Sequence, residues 1–153
     1  MEMNEEGLLV YDGVSIDTKE LNHRTMNTAR AAIVGSIPCG EAQAEEEYVE
    51  EYVNLPTNLF GKGDFYILRA KGDSMEDAGI SEGDLVVILK QPNAEIGDIV
   101  VALTDEDKNT LKRLCFDNEQ QRYYLHPENK EMEDIYVSNL RVQGIATHVI
   151  KTL

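Results

Sequence analysis

The stretch "FYILRAKGDSMEDAGISEGDLVVILK", residues 65–90, decides the fold of this chain. Two short apolar runs flank a polar segment in which glycines recur, and apolar runs bounded by turns are typical of buried β-strands. Ser74 lies in the polar segment, between Asp73 and Met75, shortly after the first run ends. Its position fits two hypotheses: an ordinary turn after a strand, or a nucleophile held on a rigid edge.

The same pattern continues to the C-terminus and predicts a mostly β fold. A second Gly-Asp pair opens the apolar run "GDIVVALTD", and "TLKRLCFD", "YYLHP" and "IYVSNLRVQGIATHVIK" supply further short runs separated by turns. Several short strands at this spacing indicate curled, mostly antiparallel sheets with short helical turns. Gly144, inside the last run, predicts a β-bulge or a tight bend.

Upstream of residue 65 the pattern is less regular. Residues 31–34 are predicted to form a strand, whereas "EAQAEEEYVEEYV" fits both helical and strand spacing, and Thr57 is predicted to cap a short helical segment. Residues 1–30 are mostly polar, with two candidate short strands in "GLLVYDG" and "VSID" and no self-contained core. We therefore expect an N-terminal arm, or the remnant of a DNA-binding domain, at 1–30 and a folded domain at 31–153.

Composition restricts the partners that the chain can have. The 153 residues include 29 acidic and 14 basic ones, which gives a net charge of −15. Such a surface repels phosphate backbones, so this chain alone is expected to be a poor binder of nucleic acid. The two cysteines and three histidines show no zinc-binding spacing, and neither a metal nor a cofactor is expected. Free thiols, no signal peptide and no apolar run of about 18 to 20 residues predict a cytoplasmic protein without a membrane partner.

A serine that cleaves peptides needs a group that takes its hydroxyl proton. No histidine is singled out by its spacing from Ser74, but a lysine can act as the base if burial keeps its amine neutral. Lys112 in "TLKRLCF" lies in an apolar run, where strand alternation places it on one face with Thr110 and Leu114. The pattern by itself also fits two surface charges on an edge strand.

Several motifs in order resemble the LexA/UmuD family of self-cleaving serine–lysine peptidases. They are "GDSM", "D.GI..GDLVV", "GDIVVA", "T.KRL" and "GI.THVIK", and the similarity covers about residues 31–153. The resemblance implies the LexA/signal-peptidase-like β fold, with Ser74 as the nucleophile and Lys112 as the general base. The backbone N–H groups of Asp73 and Ser74 are expected to stabilise the oxyanion.

Members of this family cut their own chain at an Ala-Gly or Cys-Gly bond in a bent loop upstream of the serine. Here the resemblance implies a cleavage loop around 35–41 and a scissile bond between Cys39 and Gly40. A small residue before the bond lets the carbonyl approach the nucleophile, and a glycine after it permits an unusual turn. Pro38 departs from the commonest family pattern and restricts the loop.

The resemblance also implies partners and a biological role. It implies a homodimer built through the C-terminal strand "LRVQGIATHVIKTL", and a RecA–single-stranded-DNA filament that stimulates self-cleavage. The role is that of the regulatory domain of a LexA-like repressor in the SOS response. Two alternatives remain: a UmuD-like self-processing subunit of a translesion DNA polymerase, which Cys39 favours, and a non-cleaving dimerisation or binding module of the same fold.

Overall fold

A computed structural model describes residues 27–35 and 49–153 in full, and the backbone of three short strands before them. These strands are β1 (Glu2–Met3), β2 (Leu8–Tyr11) and β3 (Val14–Asp17), which pair antiparallel in the order β1-β2-β3. The two short strands predicted from "GLLVYDG" and "VSID" are β2 and β3. The division of the chain at residue 30 stays a prediction.

The described remainder forms a second, nine-stranded sheet in the order β11-β10-β9-β8-β12-β7-β6-β4-β5. Its strands are β4 (Thr28–Val34), β5 (Val49–Pro56), β6 (Phe65–Arg69), β7 (Leu85–Lys90), β8 (Ile99–Leu103), β9 (Asn109–Asp117), β10 (Arg122–His126), β11 (Ile135–Tyr136) and β12 (Val142–Ile150). The helical parts described are α1 (Thr57–Phe60) and a 3₁₀ turn at Glu76–Ala78.

The predicted mostly β fold is confirmed. Neighbouring strands of the large sheet pair antiparallel, apart from β4 and β6, which run parallel. The ambiguous acidic segment ends in a strand over its described residues, and Leu55 is buried while Tyr52 is exposed. Residues 49–53 of this segment therefore form a strand, and the helical interpretation of them is wrong.

The core is built by the apolar runs that flank Ser74 in the sequence. Val86, Val87 and Ile88 of β7 are fully buried in succession, so both faces of this strand are covered. Alternate residues join different clusters: Val86 and Ile88 pack with Val101, and Val87 packs with Ile67. A continuous apolar run in the middle of a sheet is the pattern expected for a strand buried on both faces.

Strand β12 joins the two halves of the sheet. It pairs with β7 on one side and with β8 on the other, so the C-terminal strand lies between β6–β7 and β8–β9. The register against β8 shifts between Val142 and Gly144, which confirms the predicted irregularity at this glycine. A Cβ atom on Gly144 would lie 2.7 Å from the backbone oxygen of Leu89, so the strands approach closely there.

The threonine predicted to cap the short helix has a different role in the structure. Thr57 is the first residue of α1 and not its cap: Pro56 occupies the cap position, and the Thr57 hydroxyl donates a hydrogen bond to the Asn27 carbonyl at 3.0 Å. The segment begins with a proline-led turn, and the threonine instead ties α1 to the start of β4. No helix in the described part of the chain is long and apolar enough to span a bilayer.

Candidate active site

Ser74 lies in a turn that follows β6 and is closed at its base. The N–H of Ala70 donates to the carbonyl of Asp84 at 2.8 Å, so the segment leaves and rejoins the sheet at one place. Met75 and Ile80 are each 3% exposed, and the N–H of Ile80 donates to the Met75 carbonyl at 3.2 Å. Two buried anchors directly after the serine fix the backbone, which leaves the Ser74 hydroxyl on a rigid support.

Lys112 lies in β9, where it pairs with Val100 of β8, and is 9% exposed. Its Nζ lies 3.2 Å from Ser74 Oγ, 2.6 Å from Thr110 Oγ1 and 3.1 Å from the Leu111 carbonyl oxygen. The three contacts hold the amine at the end of a long side chain in one place. The structure therefore brings together the serine and the lysine that the sequence singles out.

This contact requires the chain to depart from a flat sheet. Three strands separate β6 from β9, and in a flat sheet the two strands would lie about 19 Å apart. The segment after β6 instead folds across the sheet face, since Met75 and Ile80 pack in one cluster with Val101 of β8. Ser74 reaches Lys112 because its turn covers the strands that lie between them.

Burial lowers the pKa of the Lys112 amine below its ordinary value of 10.5. Removal from water penalises the charged ammonium and favours the neutral amine. Within residues 27–35 and 49–153 no carboxylate lies within ion-pair distance of its Nζ, so nothing described there restores the charge. A neutral amine beside a hydroxyl is the arrangement that general-base activation of a serine needs.

We expect replacement of Thr110 by valine to lower the pKa of Lys112 further. Thr110 Oγ1 accepts a hydrogen bond from the amine, and an acceptor favours the ammonium form, so its loss favours the neutral form. The pKa is measured from the ¹³Cε chemical shift of Lys112 as a function of pH. Thr147→Val removes a hydroxyl that bonds the Val87 carbonyl instead and leaves the midpoint in place. A midpoint for Thr110→Val at or above that of the unmodified chain would contradict the assignment.

Ser74 and Lys112 face a cavity of about 250 Å³, and the residue that follows β4 forms part of its wall. Its lining includes Gly35, Leu68, Ser74, Val101 and Lys112. Gly35 directly follows β4, so the chain that continues toward residue 39 starts at the wall of this cavity. Four residues span up to about 14 Å when extended, which is enough to cross a cavity of this size.

Comparison with known proteins identifies the family of this chain. A family model described as Peptidase S24-like matches residues 32–148 of the chain. The chain belongs to this peptidase family. The predicted membership of the LexA/UmuD family is thereby confirmed.

Two relatives of this Peptidase S24-like chain are named LexA repressor. The one from Caldicellulosiruptor saccharolyticus is 42% identical over 127 residues, which are 83% of this chain and 61% of the relative. The one from Staphylococcus aureus (strain Newman) is 44% identical over 119 residues, 76% of this chain and 56% of the relative. The chain therefore spans about three-fifths of the length of the curated relatives it matches.

The predicted oxyanion donors are the backbone N–H groups of Asp73 and Ser74. Gly72 N–H donates to a Glu82 carboxylate oxygen at 3.3 Å, whereas the N–H groups of Asp73 and Ser74 have no acceptor in the part of the chain that the structure describes. Two backbone N–H groups at Ser74 are therefore available for a further acceptor. The predicted scissile residues Cys39 and Gly40 lie outside the described residues.

The two histidines in the described part of this Peptidase S24-like chain make their contacts elsewhere. His126 pairs with Asp134 at 2.5 Å, and His148 packs its ring edge-to-face with Phe60 at 4.8 Å. Among the described residues no group of three or more His, Cys, Asp or Glu side chains is placed to hold a metal ion. Lys112 Nζ is the titratable side-chain atom that the structure places within hydrogen-bond distance of Ser74 Oγ.

Two residues of the site were given no role by sequence reasoning. Strand alternation places Thr110 on the same face as Lys112, and the structure adds that its hydroxyl contacts the lysine amine. Asn129 donates a hydrogen bond to the Asp73 carbonyl at 2.9 Å from a segment 56 positions away in the sequence. No local pattern signals such a contact, because it depends on how β10 and the residues after it return to the serine turn.

Proposed function

We propose that this chain is the regulatory part of a LexA-like repressor of the SOS response and that it cleaves its own Cys39–Gly40 bond. The observation that carries the proposal is the 3.2 Å contact between Ser74 Oγ and a buried amine, in a cavity that Gly35 borders. Chain connectivity then delivers the bond to the nucleophile, so positioning within one molecule replaces the capture of a separate substrate.

The reaction begins when the loop that carries Cys39 enters the cavity. The neutral Lys112 amine takes the hydroxyl proton of Ser74, and Oγ attacks the carbonyl carbon of Cys39. The oxygen of the tetrahedral intermediate accepts hydrogen bonds from the N–H groups of Asp73 and Ser74. The Lys112 ammonium returns its proton to the nitrogen of Gly40, the C–N bond breaks, and an ester between Ser74 and Cys39 remains.

Water then hydrolyses the ester. Lys112, neutral again, takes a proton from the attacking water, and the second tetrahedral intermediate collapses to the carboxylate of Cys39 and the hydroxyl of Ser74. The products are the fragments 1–39 and 40–153. Because the loop must be in the cavity for any step to occur, a partner that favours the docked loop controls the rate, and a RecA–single-stranded-DNA filament is the partner that we propose.

We further propose that two copies pair through β12. Its residues after Ile145 have β7 on one side and no strand of the described chain on the other, and Val149 and Ile150 are 39% and 37% exposed. An open strand edge with apolar side chains is suited to pairing with a second copy across a two-fold axis. DNA contact is assigned to a separate N-terminal domain, in keeping with the net charge of −15.

The repressor is preferred to a UmuD-like polymerase subunit. The two relatives compared above are named LexA repressor, whereas the alternative depends on the Cys39–Gly40 pair. A non-cleaving binding module of the same fold is a third alternative. This alternative does not explain why a buried lysine amine lies beside the serine hydroxyl.

Self-cleavage is expected to accelerate with pH. The neutral fraction of the lysine base rises about tenfold per pH unit below its pKa, so the rate follows this rise and levels off above it. Intact-mass spectrometry of the purified chain, incubated between about pH 7 and about pH 10, measures the fragments 1–39 and 40–153. Ser74→Ala serves as the control and stays intact at every pH. A rate that is flat over this range, or fragments with other boundaries, would refute the mechanism.

A further inference from the structure

We infer that Asn129 is a positioning residue that orients the backbone N–H of Ser74, one of the two oxyanion donors. The inference rests on the proposed self-cleavage. Asn129 Nδ2 donates a hydrogen bond to the carbonyl oxygen of Asp73 at 2.9 Å. That carbonyl belongs to the peptide group whose nitrogen is the N–H of Ser74. Asn129 therefore contacts the far end of the same rigid unit that presents the donor.

The geometry of the peptide group transmits this contact. A trans peptide is planar, and its carbonyl and the following N–H point in opposite directions. Fixing the Asp73 carbonyl therefore fixes the direction of the Ser74 N–H. The Glu76 N–H also donates to this carbonyl, at 3.2 Å, but it belongs to the same turn and moves with it. Asn129 supplies the contact from outside the turn.

Asn129 is itself held in place. Its Oδ1 accepts a hydrogen bond from the Glu131 N–H at 3.0 Å, so the side-chain oxygen is engaged and Nδ2 faces Asp73. The preceding residue, Glu128, accepts a hydrogen bond from the Asp77 N–H at 2.7 Å through its carbonyl. The carboxylate of Glu128 also forms an ion pair with Arg113, the neighbour of Lys112 in β9.

These contacts connect the two catalytic elements through one short segment. Residues 128–129 bind the serine turn through two backbone groups and bind β9 through Arg113. Such a segment sets the orientation of the serine turn relative to the lysine strand. Loss of one oxyanion donor lowers the catalytic rate by about 10²- to 10³-fold, and a donor that is present but badly aimed lies between this loss and none.

The test compares substitutions that separate the two hydrogen bonds of Asn129. Asn129→Asp keeps an oxygen for the Glu131 N–H and loses the donor to Asp73, whereas Asn129→Ala loses both. We expect Asn129→Asp to slow self-cleavage about 10- to 100-fold, at least as much as Asn129→Ala does. A residue that only fills space would give the opposite order, because aspartate has nearly the shape of asparagine. Asn118→Asp, an exposed residue in the turn after β9, makes the same change of charge and leaves the rate unchanged.

The pH dependence provides a second readout. Asn129 does not contact Lys112, and Asn129→Ala adds no charge near the amine, so for this variant the midpoint of the pH–rate profile stays in place while the plateau falls. Asn129→Ser, which is neutral and keeps an oxygen for Glu131, replaces Asn129→Asp if thermal melts show that the latter is unfolded. A plateau equal to that of the unmodified chain in the folded variant would overturn the inference.

Chemical labelling separates the oxyanion from the nucleophile. A fluorophosphonate develops charge on its phosphoryl oxygen as Ser74 attacks, whereas iodoacetamide alkylates a Ser74→Cys thiol by displacement and needs no oxyanion donor. We expect substitution of Asn129 to slow the first reaction at position 74 and not the second, both followed by peptide mass spectrometry. If both rates change equally, the role is structural. If the unmodified chain neither self-cleaves nor reacts with the fluorophosphonate, the proposed function itself fails.

Discussion

Replacement of Lys112 by methionine is expected to abolish self-cleavage and to raise the stability of the fold. Methionine has a similar length and fills the same buried space, but its side chain has no amine that can take the Ser74 proton. General bases contribute about 10²- to 10⁴-fold to such reactions, and members of a catalytic unit fail together, so we expect a loss of at least 10³-fold, about the limit of detection. Intact-mass spectrometry over several days measures it.

The gain in stability arises because Lys112 is 9% exposed and its amine has no carboxylate partner among the described residues. Burying an ionisable group without a counter-charge is unfavourable, and an apolar side chain of the same volume removes this penalty. The hydroxyl of Thr110 and the carbonyl of Leu111 lose their donor, which offsets part of the gain. We expect a net increase of about 1–2 kcal/mol in the free energy of unfolding.

The increase should depend on pH in a defined direction. The folded chain holds the pKa of Lys112 below 10.5, so between the lowered value and 10.5 the unfolded chain binds more protons and the unmodified protein gains stability as pH rises. The advantage of the methionine variant is therefore largest at a pH below the lowered pKa and shrinks as the pH rises toward 10.5. Urea unfolding at several pH values tests this.

Lys108→Met is the matched control for this substitution. The Lys108 side chain is 68% exposed, and it lies in the turn before β9, so its replacement leaves both the rate of self-cleavage and the stability nearly unchanged. A Lys112→Met chain that still cuts itself would show that the base is another group. A Lys112→Met chain that is less stable than the unmodified one at neutral pH would show that the amine is better accommodated than its burial indicates.

The sequence was enough to single out Ser74 and Lys112 and the buried face of β9, but not to predict how the two side chains come together. Alternation in β9 places Lys112 and Leu114 on the buried face and leaves Arg113 half-exposed, which follows from period-two spacing in a strand. The approach of Ser74 to Lys112 depends on how the turn after β6 packs over Val101 of β8, across the insertion of β12 between β7 and β8. That insertion brings the last strand to the middle of the sheet, and no local pattern encodes it.

In the acidic segment, the spacing of apolar residues could not distinguish a strand from a helix. Residues 49–56 alternate poorly because the adjacent Glu50 and Glu51 are both exposed carboxylates, which strands usually disfavour. The structure gives one of them a partner: Glu50 accepts hydrogen bonds from the Arg69 guanidinium of β6, with an N–O distance of 2.9 Å. A partner on another strand is invisible to a window along the chain, so the strand could not be distinguished from a helix.

Gly144→Ala is expected to have the largest effect on stability of any single methyl group added to this sheet. The new Cβ would lie 2.7 Å from both the Leu89 backbone oxygen and Ile88 Cγ2, and the oxygen belongs to the adjacent strand β7. A backbone atom cannot move aside without disturbing the pairing of β12 with β7. We expect the free energy of unfolding to fall by about 2–4 kcal/mol, in the upper range for overpacked cores.

Gly97→Ala separates this steric clash from the ordinary effect of adding a Cβ to glycine. Gly97 has a φ of 99° and open space around the position of a Cβ, so alanine there suffers backbone strain alone, about 1 kcal/mol. Urea unfolding at one pH compares the two variants. A loss for Gly144→Ala no larger than that for Gly97→Ala would mean that β12 and β7 can separate freely at this point.

The same substitution is expected to impair the site, even at temperatures where the variant stays folded. Gly144 lies where β12 joins the half of the sheet that leads into Ser74 to the half that carries Lys112, so displacing β12 from β7 changes the distance between Oγ and Nζ. A misplacement of about 1 Å lowers the rates of positioned reactions about 10²-fold. Self-cleavage measured well below the melting temperature should fall by about 10-fold or more for Gly144→Ala and stay near the normal rate for Gly97→Ala. If both variants cut equally fast, the dyad does not depend on the register at β12.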